Sequence, residues 1–296
     1  MNTTQKSKTQ GYMRSIRKFG EQYKESKLGL LGLSIFLLFV FASAFAGVLA
    51  PYPIGPTQGD RNYILKPPSS KYLLGTDELG RDMLSMILYG GKVSLTIGIL
   101  ATLITAIIGT LVGVTAGYFG GKTEEILMRF TDVFLVIPGL PLMIVLASLL
   151  GATFWNMILV IGIQGWTGTA RVLRAQVLSL KEKLFIESAR SIGASDTRII
   201  IKHIIPNVLP LIVAQMVLRI GSSILSASSL SFLGLGDPTH MSWGMTLHYA
   251  FSVGSLFSNF YWYLIPPGVC ITLVVLSFTF IGYALDQIVN PRIRER

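Results

Sequence analysis

Cysteine is nearly absent from this sequence, and charge is scarce. The lone thiol, Cys270, lies inside an apolar run, so neither an intrachain disulfide nor a cysteine-based metal cluster can form. Charged residues make up 14% of the 296 positions and hydrophobic ones 51%, too little charge to coat a soluble globule of this length. A phosphate-binding loop is missing as well. Gly120-Gly121-Lys122-Thr123 ends like one, but Ala116 stands where its first glycine belongs, and an apolar run precedes it in place of a strand. No serine sits in a Gly-x-Ser-x-Gly context. His203, His240 and His248 are too dispersed to form one metal centre. These absences exclude a nucleotide-binding, hydrolytic or metalloenzyme role for the chain.

What is present is apolar length. A helix of about 20 residues crosses the hydrocarbon core, and uninterrupted runs at 28–50, 93–117, 132–150, 156–170, 207–230 and 262–285 predict six transmembrane helices. The fourth is short, and Trp155 and Trp166 are expected near its ends as interfacial anchors. The first is read as a retained anchor, although Ala44-Phe45-Ala46 resembles a cleavage site. Lysine and arginine crowd 1–27, 118–131, 171–206 and 291–296, whereas 231–261 has none. In 51–92, Arg61, Lys66, Lys71, Arg81 and Lys92 are nearly balanced by Asp60, Asp77, Glu78 and Asp82. This distribution places both termini in the cytoplasm. It also explains the net charge of +10 without nucleic acid.

The expected organisation is therefore a cytoplasmic amphipathic segment at 1–27, one transmembrane domain at 28–290 and a cytoplasmic tail at 291–296. Tyr12, Ile16, Phe19 and Tyr23 recur at helical spacing among Arg14, Arg17, Lys18 and Lys24, the pattern of a helix lying on the inner lipid surface. The segment 171–206 is far longer than a helix hairpin needs. Within it, 180–192 reads as helical and Gly193 as a left-handed stop. Ser195 or Asp196 is expected to cap a second helix ending at Pro206.

The string IESARSIGASDTRIIIKHIIPN in this loop resembles the cytoplasmic loop of permease subunits of binding-protein-dependent ABC importers. Glu187, Ala189, Gly193 and Pro206 match, while Ser188 replaces an alanine and Ile205 a leucine. Two further strings, LLGTDELGRDMLSMILYGGKVSL and LSFLGLGDPTHMSWGMTL, resemble the dipeptide, oligopeptide and nickel subgroup, in the permease type with a short first outer loop. Met86, Lys92 and Ala227 depart from that pattern: the family commonly has arginine at the first two and an acid at the third.

The resemblance implies an all-α protein with the type I importer permease fold, non-catalytic itself, forming half of a path for di- or oligopeptides. Nickel complexes or oligosaccharides are the alternative cargoes, and an ion-coupled carrier or channel the alternative class. It implies a heterodimer with a homologous permease in the cell membrane, two ATPase subunits that hold ATP and magnesium, and an extracytoplasmic solute-binding protein. It assigns ATPase coupling to Glu187, Ser188, Ala189, Gly193, Ala194, Asp196 and Pro206.

The residues themselves suggest two more groups. Thr76 is expected to cap a short helix beginning with Asp77 and Glu78, which would present Asp77, Arg81 and Asp82 as an outer gate or binding-protein contact. Gly234, Gly236 and Asp237-Pro238 read as a turn, with Trp243 as an interface anchor. Arg219 falls inside the fifth span, where an unpaired charge costs about 2.5–3.5 kcal/mol. It is expected to face cargo or a partner subunit, with Gln164 and Gln215 as weaker members of a substrate path.

Overall fold

A computed structural model describes residues 20–53 and 59–289. Most of the surface helix expected before Tyr23, and the tail after 290, lie outside the described residues. The described residues are mostly helical and contain no strand, only an isolated bridge between Thr76 and Asp82.

Helix α1, Lys27–Ala44, starts where the Ser26 hydroxyl accepts from the amide of Gly29. After a break at Phe45 the short helix Ala46–Leu49 follows. Helix α2, Met83–Phe119, is capped by Asp82, whose carboxylate accepts from the Ser85 amide, and it ends at Gly120 with φ +69°. The chain then forms α3, Gly121–Val136, α4, Gly139–Leu150, and α5, Phe154–Lys181. Helix α6, Leu184–Ser191, precedes α7, Asp196–Leu235. Helices α8, Trp243–Ser252, and α9, Tyr261–Val289, complete the bundle. Segment 59–82 and α8 lie at what is termed here the upper end; α6 lies at the lower end.

Four of these helices are long and apolar enough to cross a membrane: α1, α2, α7 and α9. A fifth crossing arises if α3 and α4 count as one span. That span was expected to be a single helix over 132–150, but its halves bend by 89°. Pro138 is the cause, because it lacks the amide that would continue the ladder and its ring clashes with the preceding turn. Helix α5 covers the expected span 156–170 and continues to Lys181, carrying Arg171 and Arg174.

Small residues let the backbones approach, the usual basis of helix packing where lipid removes the hydrophobic drive between helices. Along α2, Gly109, Gly113 and Gly117 repeat at helical spacing against α5. A Cβ on Gly113 would stand 2.6 Å from the carbonyl oxygen of Ala170. Thr105 ties the same seam by donating to the Gly162 carbonyl at 3.0 Å.

Helix α7 does not stop at Pro206. It passes through a π-helical turn at Ile200–Ile204 and continues as α-helix over Ile205–Leu230. The wide turn makes room for the proline ring, and the Asn207 side chain donates to the carbonyl of His203 at 2.6 Å. A second π turn, Ser231–Leu235, ends the helix, with Gly234 left-handed at φ +84°. Trp243, expected as an interface anchor, is instead buried. Its Nε1 donates to the Ile87 carbonyl at 2.9 Å and its amide to Ser94 Oγ at 3.1 Å, pinning α8 to α2. Trp166 is buried too, beside Phe130 and Phe134, whereas Trp155 is exposed as an anchor would be.

Candidate functional site

The lower site is built from α6 and the start of α7. Helix α6 ends in a Schellman motif: the Gly193 amide donates to the Arg190 carbonyl at 3.0 Å and the Ala194 amide to the Ala189 carbonyl at 3.1 Å. Gly193 takes the left-handed conformation at φ +79° that this motif requires. The spacing from Ala189 to Gly193 and Ala194 is therefore the geometry of one helix stop. Ile186 and Ala189 are buried with Ile199, Ile204, Tyr118, Leu173 and Val177, so α6 sits on the lower ends of α2, α5 and α7.

Asp196 opens the next helix, but its carboxylate does not cap it. The Tyr118 hydroxyl donates to its Oδ1 at 2.7 Å, while Arg190 lies over the Tyr118 ring at 6.0 Å. Ser195 holds the cap position without a side-chain bond. Away from the core, Glu187 and Ser188 are exposed, as are Leu184 at 80% and Ile192 at 85%. The result is a rigidly seated helix with an apolar outer face. Pro206 lies ten residues beyond Asp196, exposed just after the π turn.

At the upper end, no helix begins at Thr76. Asp77 folds the chain instead: its Oδ1 accepts from the amides of Leu79 at 2.9 Å and Arg81 at 2.7 Å, and its Oδ2 from Arg81 Nε at 2.5 Å. Gly80, with φ +76°, closes the turn before helix propensity can act. Thr76 Oγ1 accepts from the Lys66 amide at 2.9 Å, and Trp262 Nε1 donates to the Thr76 carbonyl at 3.2 Å. The Tyr263 hydroxyl donates to Glu78. Asp77, Arg81 and Asp82 are buried at 0%, 6% and 4% exposure, so they shape this face from beneath. Burial pushes the Glu78 carboxyl above its ordinary value, against the bond from Tyr263.

Beside this knot a cleft of about 610 Å³ opens, lined by Glu78, Tyr89, Lys92, His240, Met241 and Tyr249. Asp237 forms its neighbouring turn. Partial burial would raise its carboxyl, but hydrogen bonds from Thr239, the Phe154 amide and His240 hold it down at about 2. His240 is thereby committed to Asp237 at 3.0 Å, and His248 accompanies the Phe232 carbonyl at 2.9 Å. Among the described residues no group of three or more His, Cys, Asp or Glu could hold a metal.

Between the two ends, Gln215, Arg219, Ser222, Ser226 and Ser229 fall at steps of four and three along α7, and all are half-buried or exposed. Only Gln215 and Arg219 are expected from the sequence. The serines carry the same helical period, but serine is common enough in membrane helices to pass unnoticed. Facing this stripe on α5 is Gly168, with Gln164 one turn above it on the same helix. A Cβ on Gly168 would lie 2.4 Å from Nη2 of Arg219, and a Cβ on Gly139, at the break between α3 and α4, 2.4 Å from Nε2 of Gln164. Asp132 is committed elsewhere, since Arg171 donates to it at 2.6 Å.

The sequence agrees with these features. Residues 109–295 match the profile of the binding-protein-dependent transport system inner membrane component family, and residues 16–68 that of the N-terminal transmembrane domain of oligopeptide transport permease C. The dipeptide transport system permease protein DppC of Bacillus subtilis is 36% identical, over 92% of this chain and 84% of its own length. The glutathione transport system permease protein GsiD of Pectobacterium atrosepticum is 38% identical, over 94% and 90%. The di/tripeptide transport system permease protein DppC of Pseudomonas aeruginosa is 32% identical, over 96% and 94%. Among solved structures, a chain of the MetNI methionine ABC transporter in an inward-facing conformation superposes with a TM-score of 0.55 at 17% identity, covering 71% of this chain and 97% of that one. That likeness concerns the fold.

Proposed function

The chain belongs to the binding-protein-dependent transport system inner membrane components, and we propose that it forms half of the translocation path of an ATP-driven importer of di- or oligopeptides. Members of this family are non-catalytic permease components, so ATP hydrolysis is the work of partner ATPases. Relatives of dipeptide, glutathione and di/tripeptide systems favour peptides over nickel complexes or oligosaccharides, and disfavour an ion-coupled carrier or channel.

The working unit is a heterodimer with a homologous permease, two ATPases that carry ATP and magnesium, and an extracytoplasmic binding protein. The chain crosses the cell membrane six times as one domain, with α3 and α4 forming one broken span and α5 another. Both termini and α6 lie in the cytoplasm. Residues 1–27 form the amphipathic N-terminal segment and 291–296 the tail.

The observation that carries the reading is the seating of α6. A helix fixed by Ile186 and Ala189 to three spans, with Leu184 and Ile192 projecting, suits docking on an ATPase. Closure of the ATPases on nucleotide then displaces α2, α5 and α7 as one body, since a packed element passes on a rigid movement that a loose loop would absorb. Glu187, Ser188, Ala189, Gly193, Ala194, Asp196 and Pro206 form or support this contact. Asp77, Arg81 and Asp82 act from below, holding the face that receives the binding protein. Gln164, Gln215 and Arg219 line the path.

Uptake of a labelled dipeptide into proteoliposomes holding the full complex tests the reading. Uptake is expected to require ATP and the binding protein, and to be lost in Gly193→Pro. Transport that persists without the ATPases would overturn it.

A further inference from the structure

Arg219 is a cation without a counter-ion among the described residues: no hydrogen bond or ion pair to its guanidinium is found there. At 1.5 Å per residue it lies about 20 Å above Pro206 and about 17 Å below Leu230 along α7, too deep for its side chain to reach a lipid headgroup from the middle of the helix. A half-buried charge at that depth is kept only where something compensates it.

Its surroundings indicate what that is. The guanidinium enters a notch in α5 that exists because residue 168 is glycine. Above and below it on the same face of α7 run Gln215, Ser222, Ser226 and Ser229, with Gln164 one turn above Gly168 on α5. A fixed pair with an acid of the partner permease would need one carboxylate, and it would leave this long polar face without a purpose. The amides both donate and accept, while Ser222 and Ser229, whose hydroxyls donate to the carbonyls of Arg219 and Leu225 at 2.9 Å, present acceptor oxygens, so the face suits the amides of a peptide backbone regardless of side chains. The guanidinium alone supplies charge, in a fork that matches a carboxylate bidentately.

We propose that Arg219 receives the cargo's carboxylate midway along the path, so that the class transported is peptides with a free C-terminus. This rests on the importer reading above and deepens it.

The test uses the full complex in proteoliposomes and two probes, dialanine and its C-terminal amide, at concentrations that load the binding protein equally. Wild type is expected to take up the acid faster than the amide by roughly 10- to 100-fold, the range for a charge-assisted bond. Arg219→Gln removes that preference while the partner permease co-purifies at wild-type yield, and Arg219→Lys retains part of it. Gly168→Ala, which displaces the guanidinium without removing it, shifts the ratio the same way. An unchanged acid-to-amide ratio in Arg219→Gln would overturn the assignment. So would loss of the partner permease from both Arg219 variants, since Arg219 would then pair across the interface. Wild type taking up neither compound in an ATP-dependent way would refute the peptide reading itself, and this assignment with it.

Discussion

The hydroxyl of Tyr118, at the lower end of α2, donates across 2.7 Å to the carboxylate of Asp196, the first residue of α7. This bond links the helix that follows the Schellman turn to a span on the other side of the loop. Tyr118→Phe keeps the ring packed and removes the bond, a loss of about 1 kcal/mol at an exposed carboxylate. The expected result is a complex that assembles normally but hydrolyses more ATP per peptide imported. An unchanged ratio of hydrolysis to uptake would show that the bond does not transmit movement.

Gly193 occupies a left-handed position with open space around it, so within this chain substitutions there act through the backbone. Gly193→Ala is expected to cost about 1 kcal/mol, and Gly193→Asn less, because asparagine tolerates this region. Gly193→Pro cannot reach the conformation and also deletes the amide that bonds to Arg190. Uptake ranked Gly, Asn, Ala, Pro, with the partner permease retained in all four, is the expected series.

Glu78 gives the upper knot a pH dependence. Its folded value is raised above the reference of 4.5 by burial. Its contribution is therefore fully present below the unfolded value and is lost as pH rises through the folded one. Thermal unfolding of the purified complex should show a midpoint that falls over that window and a flatter profile for Glu78→Gln. Identical pH profiles for the two proteins would count against this account.

Gly113 holds the α2–α5 seam. In Gly113→Ala the new methyl meets a backbone oxygen at 2.6 Å and Cβ of Leu173 at 2.9 Å, neither of which can move freely. The expected cost is about 1–3 kcal/mol, read as a lower midpoint in detergent. Gly113→Leu is expected to prevent folding.

Apolar length located α1, α2, α7 and α9 because a membrane span depends on little else. The turn at Gly193 was legible because left-handed backbone so strongly favours glycine. Local rules misled where tertiary structure outweighed them. Pro138-Gly139 stands within an apolar run whose hydropathy conceals an 89° bend. Thr76 and Asp77 look like a helix start, yet Asp77 finds Arg81 and two amides first. Pro206 looks like a stop, yet a wide turn just before it lets α7 continue.

That wide turn also breaks the bookkeeping of faces along α7. The buried residues step by five from Ile199 to Ile204, then by four to Val208 and Ile212. A helical wheel drawn through the whole element therefore smears its apolar stripe across two phases. The surplus residue is slack: deleting one position within 200–204 would tighten the turn to ordinary α geometry and leave the flanking faces aligned. The same deletion between Pro210 and Arg219 would swing the polar stripe by about 100° relative to α6. In this helix the tolerance to losing a residue is concentrated at its π turns, one of which lies beside α6.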